Sequence, residues 1–132
     1  METYDPYTAP DPQEWLALSE PNRFELVTEY LTENEPRVEG AMIHVAIHVM
    51  VETQAALGDQ TNVAYTLERL QDEGLDRHEA IHAIGLIFAE LMMESGGTQF
   101  TADDYTGALD RLSASAWLEM TEERKNMDEE EM

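Results

Sequence analysis

The chain has 132 residues, 42% of them hydrophobic, which is one domain's worth of length with enough apolar material for a core. Its 29 acidic residues against 7 basic ones give a formal charge of −22. That excludes nucleic acid and anionic membranes as partners, because phosphates need Lys and Arg, and leaves a basic protein or metal cations. The lack of cysteine excludes disulfides, thiolate metal sites and a Cys nucleophile.

Residues 1–10 carry Pro6 and Pro10 and no periodic pattern, and read as an extended arm. They have neither a basic nor an apolar leader, and no run of about 18 apolar residues follows, so a cytoplasmic protein without a membrane span is expected. Asp11-Pro12-Gln13-Glu14 reads as a helix start, with Asp11 at the N-cap and Glu14 closing a capping box. Ser19-Glu20-Pro21 begins a second helix, whose Phe24, Val27 and Leu31 follow the 3,4 spacing. Asn34-Glu35-Pro36 breaks it and starts a third, over about 36–57. The centre of that helix, 41–51, is apolar on every side apart from two histidines, which predicts a buried central helix. Glu52, Gln54 and Gly58-Asp59 mark its wet end. A fourth helix starts near Thr61 and ends at Gly74. Asp76 caps a fifth, with Glu79 as the capping-box partner, running to Gly96-Gly97. Thr101 caps a sixth, with Tyr105, Leu109 and Leu112 on one stripe. No segment alternates with period 2. The pattern predicts an all-α fold, a compact bundle of five to six helices over 11–118, followed by an acidic, disordered tail at 119–132.

All four histidines fall in two i, i+4 pairs, His44 with His48 and His78 with His82. Residues four apart share a helix face, so each pair offers two imidazoles to one ion. Short loops and a simple up-down-up order put the two pairs side by side. A fourth helix of about 13 residues descends about 20 Å, which sets His78 level with His44 and His82 level with His48. The stripe through His78 and His82 continues into Gly85 and Ala89, small enough for a neighbouring helix to come close. The predicted site is a divalent transition metal, zinc first, held by His44, His48, His78 and His82. Glu52, one turn beyond His48, is a candidate added ligand or outer partner, against the plainer reading of a solvated glutamate.

His78-Glu79-Ala80-Ile81-His82 also matches H-E-x-x-H, in which the glutamate is the base of a zinc hydrolase. Glu79 is then a weak catalytic candidate, with Glu90 or Glu94 as third ligand. The competing reading gives Glu79 only a capping role. A different class of function, a metal-free acidic interaction module with core histidines and a basic partner, also fits the composition. A second copy of the chain is a further candidate partner, completing the central helix.

The segment from Pro36 to Glu94 resembles a family of small bacterial proteins known only as a domain of unknown function. The resemblance rests on His44-x-x-x-His48 with Glu52-Thr53-Gln54, on Leu67-Glu68-Arg69-Leu70, and on Gly74-Leu75-Asp76-Arg77-His78-Glu79-Ala80-Ile81-His82-Ala83. It implies a small helical cytoplasmic protein and no assigned activity.

Overall fold

Several helices in this chain begin where a side-chain oxygen meets the free N–H groups of the first turn. A computed structural model describes residues 1–35, 41–96 and 100–130. Asp11 accepts from the Glu14 N–H at 3.1 Å and opens α1, Pro12–Ala17. Ser19 accepts from the Asn22 N–H at 3.3 Å and opens α2, Glu20–Asn34. α3 spans Ala41–Ala56, and a 3-10 turn at Gly58–Gln60 leads to α4, Val63–Asp72. Asp76 accepts from the Glu79 N–H at 2.8 Å and opens α5, Arg77–Glu94. Thr101 and Asp104 exchange both bonds of a capping box and open α6, Ala102–Arg111. Asp11 and Asp76 supply only the first half of such a box. The expected start of the third helix at 36 and Gly97 lie outside the described residues.

The fold is an all-α bundle, with seven α-helices among the described residues. The seventh, α7, runs Ala114–Glu130 and takes in most of the segment read as a disordered tail at 119–132. Charge alone does not stop a helix. This stretch has no Gly or Pro, and Glu, Met, Lys and Arg are good helix formers. Its first turns are anchored by Ala114 and Trp117, both buried. Glu131 and Met132 lie outside the described residues. No helix among the described residues is long and apolar enough to cross a membrane.

Two apolar clusters meet at α3. One joins Trp15, Leu26, Val27 and Leu31 with Val45 and Val49 of α3. The other joins Val51 of α3 with Leu70, Ile81, Ile84, Leu109 and Trp117, and Ile47 packs against it. At 3.6 residues per turn, positions 44, 48 and 52 lie between those two stripes. α3 is therefore central, as its composition predicts. Its first turn is less covered than expected, with Met42 and Ile43 83% and 69% exposed.

The expected parallel register of the histidine helices is not observed. Glu52 meets Arg77, His48 meets both His78 and His82, and His44 meets His82. Numbers rise on α3 as they fall on α5, so the two helices run in opposite senses. α4 packs on both but does not simply reverse α3. The chain turns sharply at each of its ends, with Gly58 at φ 60° and Gly74 at φ 115°, conformations that favour glycine. Helices packed ridge into groove cross at angles, so equal heights do not follow from helix lengths.

Gly85 fixes how closely α5 lies on α3. A Cβ at this position would fall on Ile47 Cγ2. We expect Gly85→Ala to destabilise the metal-free protein by about 1–3 kcal/mol in urea unfolding, the usual cost of overpacking. Ile47→Ala in the same chain should recover part of that loss, a coupling readable in a double-mutant cycle. Strictly additive penalties would show that the two residues do not share this contact.

Candidate metal centre

His44 and His48 project from α3, and His78 and His82 from the first turns of α5. One ring nitrogen of each can be chosen so that all four lie within 4.8 Å of one another. The closest three are Nε2 atoms. His44 and His82 stand 2.8 Å apart, and His48 stands 3.2 Å from each. Around a tetrahedral zinc with bonds of about 2.0–2.1 Å, neighbouring nitrogens are about 3.3–3.4 Å apart. The triangle is near that size.

Hydrogen bonds cannot account for this triangle. A neutral imidazole nitrogen is either a donor or an acceptor. Among three such atoms two must be alike, so at least one close contact pairs two lone pairs or two N–H groups. Charging a ring makes its Nε2 a donor and still leaves at least one like pair. A cation in the middle satisfies all three, because each nitrogen then presents a lone pair.

His78 Nε2 is buried and has no hydrogen-bond partner among the described residues. Glu35 Oε1 stands 3.9 Å from it, beyond hydrogen-bond reach. Glu35 Oε2 is equally without a partner and lies 3.8 Å from Nδ1 of His44. An orphaned ring nitrogen beside three converging ones fits a fourth ligand. Glu35 stands outside this group, where its charge can offset that of a bound cation.

Glu52 does not join the converging nitrogens, and it is not the solvated residue that its place at a helix end suggested. It is 2% exposed. Arg77 donates to both its oxygens, at 2.8 and 2.6 Å, and to the Pro6 carbonyl at 3.0 Å. Burial works against the Arg77 charge, but Glu52 outweighs it and moves the guanidinium pKa up. The Tyr4 hydroxyl donates to Glu52 Oε2 at 2.6 Å and stands 3.0 Å from His48 Nδ1. Burial, and then the Glu52 charge, pushes the Tyr4 pKa above its ordinary value. The Tyr7 hydroxyl lies 3.4 Å from His78 Nδ1.

The arm therefore belongs to the site, although its sequence shows no pattern. Tyr4 and Pro6 are buried. Tyr4, Tyr7, Glu35 and Arg77 all escaped the sequence reading. One signal was available: Glu52 continues the 44, 48 stripe by a further turn, and Arg77 is the cation beside His78.

Glu79 is turned elsewhere. Its Oε2 accepts from the Trp117 indole N–H at 2.7 Å, which fastens α5 to α7. Glu90 and Glu94 are exposed and stand outside the group of converging ligand atoms. The H-E-x-x-H spacing thus brings its two histidines together without its glutamate. No family model, curated protein or solved structure matches the chain.

Burial is the main reason the rings of His44, His48 and His82 stay neutral. It lowers the pKa of His48 to about 2, helped by His82, His78 and His44, and that of His82 to about 4. It lowers that of His44 too, against the pull of Glu35. Neutral rings are the form that binds metal. The unfolded chain takes up these protons near pH 6.5 and the folded chain does not, so acid favours unfolding. The metal-free protein should hold this stability above about pH 6.5 and lose it as pH falls towards 4. Melting in chelator at pH 7 and pH 5 tests this: the drop should be smaller in His82→Asn than in the wild type. Equal drops would mean that His82 does not fold as a neutral ring.

Proposed function

We propose that this protein binds one divalent transition-metal ion, zinc by preference, through Nε2 of His44, His48 and His82, with His78 as the fourth ligand. The observation that carries this reading is the Nε2 triangle, with contacts of 2.8–3.2 Å that no assignment of protons satisfies. Imidazole suits zinc, and a tetrahedral set of four nitrogens leaves no position for substrate, so the ion is structural. It ties α3 to α5. Four neutral ligands leave the ion's charge intact. The carboxylates of Glu35 and Glu52 lie just outside, and the acidic chain as a whole attracts cations.

Metal analysis of the purified chain should return one zinc per molecule. At free zinc 100 times the dissociation constant, the ion should add about 2.7 kcal/mol of stability. His44→Ala/His82→Ala should lose both the bound zinc and the zinc-dependent rise in melting temperature. A wild-type melting temperature indifferent to micromolar zinc would rule the reading out.

A further inference from the structure

The hydrogen bonds around Tyr4 leave one consistent assignment of protons. Both Glu52 oxygens receive N–H groups from Arg77, so Glu52 acts as an acceptor. The single proton of the Tyr4 hydroxyl is given to Glu52 Oε2 at 2.6 Å. Tyr4 can then meet His48 Nδ1 at 3.0 Å only by accepting, so Nδ1 carries the proton of the neutral ring. Nε2 is left with a lone pair, and Nε2 is the atom that faces His44 and His82.

We infer that Tyr4, anchored by the Glu52–Arg77 ion pair, is a positioning residue that fixes His48 in its metal-binding tautomer and makes the N-terminal arm part of the metal site. The inference rests on the metal-binding reading above. Its structural basis is the one stretch of chain that the sequence marks as patternless. Arg77 fastens that stretch through the Pro6 carbonyl as well. Tyr7 repeats the motif more loosely: its hydroxyl faces His78 Nδ1 at 3.4 Å, and His78 Nε2 is the orphaned nitrogen. Two of the four histidines thus have their outer nitrogen held by an arm tyrosine. Outer partners of this kind orient the ring and raise its basicity, and losing one typically weakens metal binding about 10–100-fold.

The test uses the full chain and zinc. Tyr4→Phe keeps the ring that packs against Trp15 and Tyr30 and removes only the hydroxyl. Its zinc affinity, measured by chelator competition, should fall about 10–100-fold. Long-range ¹⁵N–¹H spectra of the metal-free wild type should show His48 protonated at Nδ1, and Tyr4→Phe should populate the Nε2-protonated form. A merely structural tyrosine would lower the melting temperature without changing the tautomer. If the wild type binds zinc and Tyr4→Phe binds it equally well, the inference is overturned while the metal site stands. Nε2 protonation of His48 in the metal-free wild type overturns it even if the variant does not fold. A wild type that binds no zinc removes the metal reading itself.

Discussion

Three ring nitrogens in mutual contact, with one proton position each, form an arrangement that hydrogen bonding cannot complete. The whole centre of this molecule is organised around that constraint. α3 carries two of the nitrogens and α5 the third. The helices come close enough to hold the triangle because position 85 has no side chain to separate them from Ile47. Positions 44, 48 and 52 fall in the seam between two apolar clusters, each built on a different side of α3. A polar seam at such a place costs stability unless something satisfies it. A divalent cation held by these rings would satisfy it and would also tie α3 to α5.

The Glu52–Arg77 pair follows the same logic. Removing two charges from water is expensive, and an isolated buried ion pair is weak evidence of stability. Here the pair has further tasks. Arg77 also holds the Pro6 carbonyl, and Glu52 receives the Tyr4 proton. The result is a continuous line from guanidinium to carboxylate to phenol to imidazole, which ends on an Nε2 lone pair. The ion pair makes sense as a device for orientation, with its cost met by the contacts around it.

Local signals were legible in the sequence and long-range geometry was not. Asp11, Ser19, Asp76 and Thr101 mark helix starts because capping chemistry acts within three residues. The histidine cluster was legible because i, i+4 spacing fixes a shared face whatever the tertiary fold. The order of pairing was not, because helix lengths do not fix the angles at which α3, α4 and α5 pack. The burial of Glu52 was missed because its partners, Arg77 and Tyr4, lie 25 and 48 residues away. Glu79 misled for a similar reason: its true partner is Trp117, on a helix that the acidic composition of the tail concealed.

The most direct test of the central claim is X-ray absorption at the zinc edge of the zinc-loaded protein. The account predicts a shell of four nitrogens at about 2.0–2.1 Å with the outer-shell scattering of imidazole rings. An oxygen-dominated shell, or fewer than three imidazoles, would contradict it.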